Sequence, residues 1–103
     1  MAGEYEKSVI KSRVATFVVM GGPFASDVAS IAREHVALDT VRRRLLLPGD
    51  PAYPSAEQIG SWQLGPGAAA VVIAPDGSLS DILDHRQATS GAWIEHAFVR
   101  ALR

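Results

Sequence analysis

The stretch Val14-Ala15-Thr16-Phe17-Val18-Val19-Met20 constrains the fold more than any other part of the chain. It is an apolar run, rich in β-branched residues, with no apolar-polar alternation, and such a strand is stable only where both of its faces are covered. That places it at the centre of a parallel or mixed sheet flanked by other elements. Gly21-Gly22-Pro23 ends it abruptly. An α/β domain is the expectation from these ten positions alone.

The rest of the chain supplies the flanking elements. Val28, Ile31, Ala32, His35 and Leu38 recur at helical spacing, with Asp27 near the positive N-terminal end of that helix. Val41 to Leu47 reads as a second strand, closed by the turn residues Pro48-Gly49-Asp50-Pro51. Strand, helix and strand make a βαβ unit. Ser55 is placed to cap the amide of Gln58 while Gln58 reaches back, which starts a short helix carrying Ile59 and Trp62. Gly65-Pro66-Gly67 breaks it, and Ala69 to Ala74 reads as a third strand. Pro75-Asp76-Gly77-Ser78 then turns the chain into an antiparallel strand over Leu79 to Leu83. Thr89-Ser90-Gly91 opens a last helix with the apolar stripe Trp93, Ile94, Ala97, Phe98, Ala101 and Leu102, so Trp93 is expected to be buried against the sheet. At the start of the chain, Tyr5, Val9 and Ile10 suit a short amphipathic helix over Glu4 to Lys11.

Composition removes whole classes of function. With 103 residues and no repeat or linker, one domain accounts for the chain. The absence of cysteine excludes thiol redox chemistry, disulfides and thiolate-bound metal. A net charge of −1 gives no field to gather nucleic acid or an anionic membrane. No apolar run approaches the ~20 residues that span a bilayer. Met1-Ala2-Gly3-Glu4-Tyr5 has neither the basic start nor the apolar stretch of a signal peptide, so the expected setting is the cytoplasm.

The order helix, strand, helix, strand, helix, hairpin, helix is the thioredoxin order without that family's first strand. The chain resembles a thioredoxin-like protein over nearly its full length: Tyr5 to Val19 is similar to the family's first helix and central strand. Leu64 through Gly77 is similar to its third helix, following strand and "DG" hairpin. The family's CGPC motif falls at Gly21-Gly22-Pro23-Phe24, where Gly-Pro is kept and both cysteines are absent. The family's buried carboxylate falls near Val18, and its cis-proline near Ala68, with Pro66 slightly displaced. Peroxiredoxin-like proteins and the C-terminal domain of aromatic flavin hydroxylases share this second half, and the residues do not choose among them. The resemblance implies a mixed sheet with flanking helices and a redox-inactive peptide groove. That groove would be bordered by Gly21, Gly22, Pro23, Phe24, Trp62, Pro66 and Ala68.

Two functions from different classes follow. The first is a protein-binding adaptor, assembly factor or dimeric accessory subunit, with no cofactor, binding a protein partner through that groove. The second is a thiol-independent enzyme or binder of a small anion on the Gly21-Gly22 amides, with Arg43 or His85 assisting. Asp81, Asp84 and His85 crowd the end of the hairpin, so Asp81 and His85 are candidates for an acid/base pair, although the thioredoxin-like reading makes this plain surface. His35, His85 and His96 have no metal-ligand spacing, and no metal site is expected. Arg42-Arg43-Arg44 could hold phosphate, but on an edge strand positive side chains also deter aggregation. If the family's first strand is missing, that edge becomes a homodimer contact through Arg42, Arg44, Leu45 and Leu47.

Overall fold

The computed structural model describes residues 13–103, and the amphipathic helix expected over Glu4 to Lys11 lies outside them. The described chain runs β1 (Ala15–Val19), α1 (Ala25–Ala37), β2 (Arg43–Leu46), α2 (Ala56–Ser61), β3 (Ala68–Ile73), β4 (Leu79–Asp84), α3 (His85–Ala88) and α4 (Gly91–Ala101). The four strands form one sheet in the order β2-β1-β3-β4. β1 is parallel to β2 and antiparallel to β3, and β3 is antiparallel to β4. The α/β class with a mixed sheet and flanking helices is therefore established, and the arrangement is compatible with a thioredoxin-like one.

β1 is buried along its whole length, as its unbroken apolar run requires. Ala15, Phe17 and Val19 face the larger core, where they meet Val28 and Ala32 of α1, Ala70 and Val72 of β3, Leu83 of β4, and Ile94, Ala97 and Phe98 of α4. Phe17 and Phe98 pack with ring centroids 5.8 Å apart. Val18 faces the other way, into a smaller core with Leu46 and Val71, covered by Tyr53, Trp62 and Leu64. Among the described residues, the sheet is thus thickly covered on one face and thinly on the other.

The sequence expected β2 to begin at Val41, but it begins at Arg43. The Asp39 carboxylate accepts from the backbone N–H and the Nε of Arg42, and the Asp39 carbonyl accepts from the Arg43 N–H. That turn holds Val41 and Arg42 out of the strand. At the far end, Leu47 donates its N–H to Asp50, which closes the strand. Leu45 and Leu47 are half-buried and packed on the larger core, because alternate strand residues turn to the α1 face, so they are not the bare apolar pair expected of an uncovered edge.

The hairpin forms as its sequence dictates. Gly77 adopts a φ of +88°, the left-handed conformation that glycine takes without a steric penalty, while Asp76 Oδ1 accepts from the N–H and hydroxyl of Ser78. Those bonds hold the Asp76 carboxyl below its ordinary range. α3 was not foreseen. Its start is a capping box: the Asp84 carboxylate accepts the Gln87 N–H, and the Gln87 side chain accepts the Asp84 N–H.

α4 begins where expected, with Ser90 accepting the Trp93 N–H. Its buried face is Ile94, Ala97, Phe98 and Ala101, a stripe of spacing 3, 1 and 3. Trp93 lies about 90° from the centre of that stripe, beyond its Ala97 edge, and is 43% exposed. The expectation of a buried Trp93 is corrected on this point.

Where α1, β2 and α4 meet, an ionic cluster bridges the edge of the larger core. Glu95 accepts two hydrogen bonds from Arg43, at 2.7 and 2.6 Å, and lies 3.1 Å from His35 Nδ1. Arg43 also donates to the His35 carbonyl and lies 4.9 Å above the Phe98 ring. The guanidinium holds the Glu95 carboxyl at about 2, well under the usual carboxylate range, against the opposing effect of burial.

Candidate functional site

The most enclosed hollow among those described lies at the carboxyl end of β1, where the chain turns off into α1. Its cavity is about 310 Å³ and is lined on one side by Met20 to Ala25, and on the other by Pro66 to Ala69, with Val28 and His85 completing it. Two features of the sequence create it. Gly21-Gly22 lets the chain leave β1 at once, with Gly22 at a φ of +147°, a backbone conformation that side chains rarely adopt. Gly65-Pro66-Gly67 turns into β3 opposite, the Ala68 N–H donating to the Gly65 carbonyl.

The lining side chains are apolar apart from that of His85. Met20 donates its N–H to the Ala69 carbonyl, the last rung between β1 and β3. Beyond that rung, among the described residues, no backbone hydrogen bond joins Gly21 or Gly67 to a neighbour. Phe24 stands at the rim, 52% exposed, with its ring centroid 4.3 Å from that of His85. His85 is held there as the first residue of α3, directly after the Asp84 cap.

Of the expected groove residues, Gly21, Gly22, Pro23, Phe24, Pro66 and Ala68 are brought together in this cleft. Trp62 is not. It packs on the other face of the sheet, with Val18, Leu46 and Val71. Met20, Ala25, Val28 and Ala69 line the cleft without having been singled out. For Met20 and Ala69 a signal was present, since they flank the glycine breaks beside β1 and β3; Ala25 and Val28 come from the first turn of α1.

The acid/base pair does not form. His85 faces Phe24, whereas Asp81 is 3.6 Å from Arg100 on α4, and no hydrogen bond or ion pair joins Asp81 to His85. Asp84, the third member of that crowd, is spent on capping α3. Arg43, expected to assist an anion in the cleft, is instead held by Glu95 and has a side chain only 9% exposed. Arg42 pairs with Asp39, and Arg44 donates to the buried Thr16 hydroxyl. The three arginines therefore face three different partners and make no common phosphate site.

Among the described residues, no group of His, Asp or Glu is arranged to hold a metal ion. No helix among them is long and apolar enough to cross a membrane. No family model, curated protein or solved structure matches the chain.

Proposed function

We propose that the chain is a redox-inactive, thioredoxin-like binding protein whose cleft takes an extended segment of a partner protein. The observation that carries this reading is the pairing of backbone at Gly21 and Gly67, which no described residue's backbone hydrogen-bonds, with the exposed ring of Phe24 on one rim. An extended segment supplies the hydrogen bonds those peptide groups lack, as in strand addition, and an apolar side chain of that segment covers Phe24. Without cysteine the contact has no thiol-disulfide step.

A small anion is the less supported occupant. Among the described residues His85 is the one titratable side chain lining the cleft, and the first turn of α1 already carries Asp27, whose charge opposes a second anion there. Amide chemical shifts followed during titration with a library of unstructured peptides test the reading. Shifts are expected at residues 21–25 and 66–69, and Phe24→Asp should weaken binding at least tenfold. Equal shifts with inorganic phosphate alone, and none with any peptide, would overturn it in favour of the anion.

A further inference from the structure

The sheet has two outer strands among the described residues, β2 and β4, and they differ in what they offer another strand. The Ala69 carbonyl faces β1, since it accepts from Met20. Backbone groups alternate sides along an antiparallel strand, so Ala70 and Val72 turn theirs to β4, and Val71 turns its own to β1. Ile82 is opposite Val71, and its N–H and carbonyl therefore point away from the sheet. The hydrogen bonding agrees: the Ile82 N–H is taken by Oδ1 of the adjacent Asp81, at 3.1 Å.

On one face of that peptide group stands the Ile82 side chain, with Asp84 as its neighbour along the strand, and on the other stands the Asp81–Arg100 ion pair. The Ile82 side chain is 43% exposed on the thinly covered face. On the other face, Asp81 Oδ2 is buried without a hydrogen bond, 3.6 Å from Arg100. Trp93 lies two turns before Arg100 on the same side of α4, and the two share a shallow hollow with His96.

We infer that β4 is a self-pairing edge, and that its occupant is β4 of a second copy of this chain, running antiparallel about a twofold axis at Ile82. In this register the two Ile82 residues exchange both N–H···O=C bonds and stack their side chains on one face. Asp81 swings from the Ile82 amide to Arg100, which gives its unpartnered oxygen a donor. In this register Asp81 lies opposite Leu83 of the copy and Asp84 opposite Ser80, so no like charges stand directly opposite each other across the twofold axis, and Asp81 keeps Arg100 of its own chain as counter-charge. The β2 edge fails this test. It is only Arg43 to Leu46 long and presents Arg44, which would meet the like charge of the copy's own Arg44. This inference does not depend on the occupant of the cleft.

Light scattering across a micromolar concentration series, with the full chain, should give a dimer for the wild type. Ile82→Lys puts two like charges on the axis at an exposed position and should weaken dimerisation at least tenfold, with an unchanged circular dichroism spectrum. In the wild type, hydrogen exchange at the Ile82 amide should slow as concentration rises. Arg44→Glu should leave the dimer intact. A monomeric wild type, a dimer indifferent to Ile82→Lys, or a dimer abolished by Arg44→Glu would each overturn the inference.

Discussion

Replacing Glu95 by Gln removes one charge from the Arg43–Glu95–His35 cluster while keeping a side chain of nearly the same shape. The Glu95 carboxyl titrates at about 2 in the folded protein against 4.5 for the free group. Each pKa unit corresponds to about 1.4 kcal/mol, so the full shift would be worth roughly 3 kcal/mol. Because the Glu95 side chain is 37% exposed, solvent screens part of that, and about 1–2 kcal/mol is the expected contribution. A folded-state pKa below the unfolded value stabilises the protein above the unfolded pKa. That stability is lost as pH falls through the folded pKa, here between about 4.5 and about 2. Urea denaturation followed by circular dichroism at half-unit steps from pH 7 to pH 2 measures it. The wild type should exceed Glu95→Gln by about 1–2 kcal/mol at pH 7, and the two curves should converge towards pH 2. Asp39 and Asp76 also have lowered pKa values, but they act equally in both proteins and cancel in the difference. Parallel curves, with a gap that does not close on acidification, would refute the assignment of this stability to the charge on Glu95.

Other substitutions separate the core from the surface, and thermal or urea denaturation reads each of them. Phe98→Ala empties a fully buried site between Phe17 and Arg43 and should cost about 3–5 kcal/mol. Trp93→Ala, at a site 43% exposed, should cost less than about 1.5 kcal/mol. A loss as large as that of Phe98→Ala would show that Trp93 packs more deeply than described. Gly91→Ala would bring its Cβ to 2.9 Å from His35 Nε2, so it should push the imidazole off Glu95 and destabilise the protein. Combining it with His35→Ala should remove most of that penalty.

The sequence announced the central strand and the hairpin because each rests on local chemistry: an unbroken β-branched run in one case, Asp76-Gly77 in the other. The cleft was legible for a similar reason, since glycine and proline mark where a chain leaves a strand. Trp93 and Trp62 were misjudged because hydrophobicity is not orientation. A rotation of one residue on α4 puts Ile94 inside and Trp93 at the rim, and both residues fit the apolar pattern. The arginine run was opaque because its meaning lies in Asp39, Glu95 and Thr16, distant or non-periodic in sequence. The capping box at Asp84 and Gln87 was available and went unread, and with it the placement of His85 beside Phe24.

The unequal covering of the two sheet faces also sets an order in which the molecule opens. α2 has no buried residue, and among the described residues the smaller core, which Tyr53, Trp62 and Leu64 around α2 cover, has Val18, Leu46 and Val71 as its buried members. Small excursions that lift α2 and its flanking loops therefore expose little apolar surface and should occur far more often than global unfolding. One hydrogen bond tempers them: the Tyr53 hydroxyl donates to the Val19 carbonyl at 2.6 Å, fastening the thin layer to the last residue of β1. That carbonyl lies a single residue before Met20 at the wall of the cleft. Breathing of the thin layer should therefore be felt at the cleft through the Tyr53 hydroxyl, while the half of the molecule built on α1 and α4, with the larger core, should stay closed.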